Sequence, residues 1–110
     1  MRVIMKNLIY IFLLIPIYAY AGDADYKIVI QEHRFQPSEI SIPAGKKIKL
    51  LIENKDKTPE EFESYSLNRE KIIAGNSSTH IFIGPLEPGR YDFFGEFNKS
   101  TAQGVIVVNK

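Results

Sequence analysis

Hydrophobic and polar residues alternate in short runs along most of the chain. The first clear run places Ile28 and Ile30 on one side. A period of two indicates strands, because neighbouring side chains of a strand point to opposite faces. Residues 62–67 and 71–74 are further strand candidates, and no long window after residue 22 has a helical period. The same alternation recurs at Ile40 and Ile42, at Ile48, Leu50 and Ile52, at Ile81 and Ile83, at Tyr91 and Phe93, and at Val105 and Val107.

Proline and glycine separate these runs. Turn-forming residues lie, among other places, at residues 43–45, 56–59 and 88–89. They mark turns because proline fixes one backbone angle and glycine reaches angles that other residues avoid. Seven to eight short strands at this spacing predict an all-β fold, either an antiparallel sandwich or a Greek-key barrel.

The N-terminal segment has a different pattern and predicts export from the cytoplasm. Arg2 and Lys6 precede an apolar stretch at residues 8–18, which Pro16 interrupts, and Ala-Tyr-Ala follows at residues 19–21. This order is typical of a secretory signal peptide, and the stretch is short for spanning ~30 Å of hydrocarbon. We therefore predict a signal peptide over residues 1–21 and one domain over residues 22–110. An uncleaved anchor is the alternative, and only then would the chain contact the membrane. Under both hypotheses the domain is periplasmic or is secreted across the inner membrane.

Composition narrows the function classes. The chain has 110 residues, a formal net charge of +1 and no cysteine. The near-neutral charge argues against a nucleic-acid partner, which would require a basic face. Without cysteine there is no disulfide framework, no thiolate metal site and no cysteine nucleophile.

Two segments resemble the cupredoxin pattern. Residues 35–45 read F-Q-P-S-E-I-S-I-P-A-G, and residues 88–93 read P-G-R-Y-D-F before a closing G-V-I-V-V at residues 104–108. The resemblance implies a cupredoxin-like, antiparallel Greek-key β-sandwich and a metal site at one end of it. In blue-copper members the ligands are two histidines, one cysteine and one methionine, which suit both oxidation states of copper.

None of these four ligands is kept in this sequence. Aligned on the pattern, the first histidine falls at Glu60 or Glu61, the cysteine at Gly95, the second histidine at Asn98 and the methionine at Ala102. A type 1 blue copper centre is therefore not expected, and blue-copper electron transfer is disfavoured.

A narrower resemblance concerns the acidic segments. Residues 58–64 read T-P-E-E-F-E-S, residues 69–71 read R-E-K, residues 84–97 read G-P-L-E-P-G-R-Y-D-F-F-G-E-F, and residues 102–104 read A-Q-G. This series is similar to small secreted cupredoxin-like proteins that accompany bacterial high-affinity iron permeases. Members of that group often carry histidine where Asn98 stands. The resemblance implies a periplasmic accessory of iron uptake whose partner is an inner-membrane iron permease or its periplasmic companions, and which assists ferrous iron oxidation before transport.

The acidic residues also permit metal binding on their own chemistry. Carboxylates are hard oxygen donors that suit iron or manganese, and a histidine adds affinity for copper. On a strand, Glu60 shares the core face with Phe62, and Glu61 shares the opposite face with Glu63. Glu70 has two interpretations, a surface ion pair with its basic neighbours or a site residue. We expect an iron or copper ion, and the candidate ligands are His33, Glu61, Glu63, Glu96 and Asn98.

One alternative function stays open at this point. The same acidic residues could form a metal-free docking module for a basic periplasmic partner. An independent enzyme is not expected, because the sequence has no G-x-S-x-G motif and no glycine-rich phosphate loop. Whether the chain itself catalyses iron oxidation is left open by the residues.

Overall fold

A computed structural model describes residues 23–110, so the predicted signal peptide lies outside the described residues. This part of the chain contains no helix that is long and apolar enough to cross a membrane. A short 3-10 helix, Glu96–Asn98, follows the eighth strand. The nine strands within residues 23–110 are β1 Tyr26–Gln31, β2 Arg34–Gln36, β3 Glu39–Pro43, β4 Ile48–Asn54, β5 Glu60–Ser64, β6 Arg69–Ile73, β7 Ser77–Ile83, β8 Gly89–Gly95 and β9 Gln103–Asn109.

The strands form two sheets that pack face to face. One sheet has the order β2-β1-β4-β7, and the other has the order β3-β9-β8-β5-β6. The predicted all-β, cupredoxin-like sandwich is confirmed. The structure differs in detail, because β1 pairs with β4 and β3 pairs with β9 in parallel, so both sheets are mixed. Short β2 is the extra strand beyond the predicted number.

The core lies between the inner faces of the two sheets. The alternating residues predicted for β1 and β4 are buried there, from Ile28 and Ile30 to Ile52. In β9 the buried residues are Ile106 and Val108, which corrects the predicted alternation at Val105 and Val107. The run is apolar at every position from 105 to 108, so its pattern does not specify a face, and pairing with β3 decides it.

Three aromatic rings connect the sheets near the end that carries the acidic segments. Phe62 and Phe93 stack with ring centroids 4.9 Å apart. Phe35 of the opposite sheet meets Phe93 edge-on, also at 4.9 Å. Because Phe62 is fully buried, its neighbours along β5 on the outer face must point away from the core.

Candidate functional site

The strand β5 sends its acidic side chains to two different places. Glu60, Phe62 and Ser64 are buried on the inner face. Glu61 and Glu63 occupy the outer face, as their spacing predicts. The hairpin from β5 to β6 sets Glu63 directly opposite Glu70. Acidic residues on two strands therefore meet on the outside of the five-stranded sheet.

Three carboxylates converge there in what we call the acidic cluster, Glu61, Glu63 and Glu70. One carboxylate oxygen from each lies within 4.8 Å of the other two. Glu61 is only 8% exposed, Glu63 is half-buried and Glu70 is exposed. Within residues 23–110, the three side chains form neither an ion pair with a basic residue nor a hydrogen bond with an N–H donor.

The surface ion pair considered for Glu70 does not form. The Arg69 guanidinium instead donates to the backbone oxygen of Phe82 at 2.8 Å and to that of Asn68 at 3.0 Å. Among residues 23–110, neither Arg69 nor Lys71 forms an ion pair with Glu70. The register of the β5–β6 hairpin identifies Glu70 as a site residue, because it sets Glu70 opposite Glu63. The charges that flank Glu70 along β6 do not identify it.

The surroundings of Glu61 and Glu63 raise the pKa values of these two carboxyl groups. A hydrogen bond with Glu70, burial, and repulsion from Glu70, Glu63 and Glu96 raise the pKa of Glu61 from 4.5 to about 7. Burial and repulsion from Glu70 and Glu96 also raise the pKa of Glu63, and the positive charge of Lys99 opposes this rise in part. Glu96 contributes through its charge and is itself paired with Lys99 at 3.6 Å. The cluster can thus hold a proton near neutral pH, and a cation that binds there would displace it.

The other two predicted ligands lie in a separate network at the end of the sandwich. The Asn98 amide donates to Glu60 Oε2 at 2.7 Å. Its Oδ1 therefore faces His33 and accepts from His33 Nδ1, also at 2.7 Å. The structure thus joins His33 and Asn98 to Glu60, and joins Glu61 and Glu63 to Glu70. Of the five predicted ligands, two lie in each of these places, and the fifth, Glu96, pairs with Lys99 instead.

The four positions that align with the cupredoxin ligands lie close together at this end of the sandwich. A Cβ atom on Gly95 would lie 2.6 Å from Glu60 Cδ and 2.7 Å from Ala102 Cβ. Asn98 bonds to the same Glu60 carboxylate. The four aligned positions converge, and Glu60 rather than Glu61 takes the place of the first histidine. They offer neither thiolate, imidazole nor thioether, so they do not fit a type 1 copper centre.

Comparisons with known proteins agree with this architecture. A family model described as a cupredoxin-like domain matches residues 5–108. The chain belongs to this cupredoxin-like family. A relative named uncharacterized protein RP394, from Rickettsia prowazekii (strain Madrid E), is 43% identical over an alignment that covers 89% of this chain and 86% of the relative.

Solved structures with low sequence identity share the cupredoxin fold. Auracyanin A, a "blue" copper protein from Chloroflexus aurantiacus, has a TM-score of 0.66 at 15% identity. The alignment covers 76% of this chain and 96% of the auracyanin A chain. A purple cupredoxin from Nitrosopumilus maritimus has a TM-score of 0.59 at 18% identity. This alignment covers 77% of this chain and 100% of the purple cupredoxin chain. At such identities the likeness concerns the fold alone, so the site must be argued from this chain's own residues.

Proposed function

We propose that this cupredoxin-like protein is a periplasmic metal-binding accessory of an iron uptake system, and that the acidic cluster holds the ion. The observation that carries the proposal is the convergence of three carboxylates within 4.8 Å without a basic partner among residues 23–110. Like charges at this separation repel one another, and burial of Glu61 strengthens the repulsion. A bound cation would relieve it.

The ligand chemistry favours iron or manganese over copper. All three donors are carboxylate oxygens, which suit hard cations. His33, the candidate imidazole ligand, belongs to the network with Asn98 and not to the acidic cluster. The sequence predicts an iron or copper ion, and of these two the carboxylate donors favour iron, which we therefore propose as the bound ion.

The role in iron uptake is supported by sequence resemblance. Residues 58–64 and 84–97 follow the pattern of the secreted proteins that accompany iron permeases. The first of these segments contributes Glu61 and Glu63 to the acidic cluster, and the second contains Glu96, whose charge raises the pKa values of both. We propose an inner-membrane iron permease or its periplasmic companions as the partner. Assistance to ferrous iron oxidation, with an external electron acceptor, is the finer part of the proposal.

Calorimetric titration of residues 22–110 with Mn(II), and with Fe(II) under anaerobic conditions, tests the site. We expect one binding event that Glu61→Gln weakens by at least about tenfold, since even loss of a residue behind the ligands commonly costs that much. Glu87→Gln is the matched control, because Glu87 is exposed and lies outside the cluster. Identical isotherms for the wild type and Glu61→Gln would refute the assignment.

A docking role is the second candidate function. Tyr65 and Ile72 are 77% and 59% exposed and lie on the same two strands or their turn, beside the acidic cluster. An acidic patch with apolar neighbours is suited to a basic protein surface. Absence of any heat of binding with both metals would favour this role over the first.

A further inference from the structure

Glu60 is a buried carboxylate with an unusually complete set of hydrogen-bond donors. Glu60 is only 2% exposed. Oε1 accepts from the backbone N–H of Phe97 at 2.8 Å and of Glu61 at 3.0 Å. Oε2 accepts from the Asn98 amide at 2.7 Å. Charge-assisted bonds of this kind are stronger than neutral ones, and they offset the cost of burying the carboxylate.

This carboxylate fills the space in which the ligand positions of the fold converge. A Cβ atom on Gly95 would approach Glu60 Oε2 to 2.7 Å and Glu60 Cδ to 2.6 Å. Such contacts are far shorter than van der Waals distances. Glycine at position 95 thus gives the carboxylate the room that a cysteine side chain would otherwise occupy, and Ala102 borders the same space.

The bonds of Glu60 connect segments that are distant in sequence. Through Phe97 and Asn98 they tie the start of β5 to the 3-10 helix that follows β8. Asn98 then continues the connection to His33, in the turn between β1 and β2. The His33 backbone is held as well, because its N–H donates to Asp56 Oδ2 at 3.0 Å and its carbonyl accepts from Thr101 Oγ1 at 2.6 Å.

We propose that the Glu60 carboxylate takes the place of a metal ion at this end of the sandwich. A metal centre holds ligands from separate loops together, and here a side chain with N–H donors from those loops performs the same structural task. His33 and Asn98 are then structural residues that anchor the network. This inference goes beyond the acidic cluster, because it concerns the opposite face of β5 and holds whether or not that cluster binds a cation.

The first test is a comparison of thermal unfolding for two adjacent variants. Glu60→Gln keeps the shape but turns one acceptor into a donor that faces other donors, so we expect the melting temperature to fall by at least about 5 °C. Glu61→Gln is the matched control on the opposite face and is expected to cause no such fall. Asn98→Ala, which removes one donor only, should cause a smaller decrease. Unchanged melting temperatures for both Glu60→Gln and Asn98→Ala would overturn the proposal.

The second test locates bound metal without any substitution. Mn(II) broadens the NMR signals of amides close to it, so its titration into 15N-labelled wild-type protein maps the ion. Broadening that is greatest at Glu70 and Lys71 supports the proposal, because it places the ion at the acidic cluster and not in the space that the Glu60 carboxylate fills. Broadening that is greatest at His33 and Ala102 would overturn the proposal. If no amide is broadened, the acidic cluster fails as a site, while the Glu60 network is supported because it admits no ion.

Discussion

At the scale of single residues, two adjacent glutamates have opposite environments. Glu60 points inward and accepts three N–H donors. Glu61 points outward and faces two further carboxylates. The same side chain is therefore stabilised at one position and repelled at the next, and only the face of the strand differs.

The hydrogen bond of Glu61 with Glu70, its burial and the repulsion around it predict that the stability of the protein depends on pH. Its pKa rises from 4.5 to about 7 in the folded protein, so the folded state holds the proton more tightly than the unfolded state. The stability that this contributes is fully present below pH 4.5 and is lost as the pH rises through about 7. In metal-free buffer, Glu61→Gln should remove this loss, so the variant should melt at a higher temperature than the wild type at pH 8.

The control for this prediction is Glu87→Gln, whose melting temperature should follow the wild type at each pH. Melting curves between pH 4 and pH 8, recorded by circular dichroism, provide the measurement. Equal slopes of melting temperature against pH for the wild type and Glu61→Gln would contradict a raised pKa for Glu61.

At the scale of elements, the end of β4 sets the position of β5. Asn54 is 1% exposed, and its amide donates to the backbone oxygens of Thr58 at 2.9 Å and Ile73 at 3.2 Å. Its Oδ1 accepts from the backbone N–H of Asp56 at 3.0 Å. One buried side chain thus shapes the loop that precedes Glu60 and fixes which of the following residues face the core.

Removing this side chain should be costly. Asn54→Ala leaves buried backbone groups without partners, so we expect the free energy of unfolding to fall by about 1–3 kcal/mol. Urea denaturation followed by circular dichroism measures the change. Asn109→Ala is the control, because that side chain is exposed, and it should change stability by less than about 0.5 kcal/mol. Equal stability for the two variants would show that the Asn54 bonds are dispensable.

At the scale of the whole molecule, the acidic cluster and the Glu60 network lie apart, although both include residues of β5. The rings of Phe35, Phe62 and Phe93 fill the core between the sheets at this end. Outside the five-stranded sheet lies the acidic cluster, and at the end of the sandwich lies the Glu60 network. A cation at the first place need not disturb the second.

The proposed cellular role is tested at this scale. In cells that lack the protein, uptake of radioactive iron at low external iron should decrease, and a plasmid copy of the wild type should restore it. A Glu61→Gln copy should restore uptake poorly, because the cluster has lost a ligand, whereas Glu87→Gln should restore it fully. Immunoblots of the fractionated cells verify equal amounts of each variant. Full restoration by Glu61→Gln would separate the acidic cluster from iron uptake.

Much of the fold follows from local patterns in the sequence. The alternation at Ile28 and Ile30 and the turn formers between the runs predict strands and a sandwich. The same period of two assigns Glu60 and Phe62 to one face and Glu61 and Glu63 to the other. These predictions succeed because the direction of a side chain along a strand depends only on its immediate neighbours in the chain.

Tertiary structure alone decided which distant residues meet. Glu70 joins the acidic cluster through the register of a hairpin, and His33 reaches Asn98 across a separation of 65 residues. The parallel pairing of β3 with β9, which buries Ile106, is likewise a choice between strands that are far apart in sequence. Alternation specifies the face on which a residue lies, but pairing and register specify its partners, and these depend on the packing of the whole sandwich.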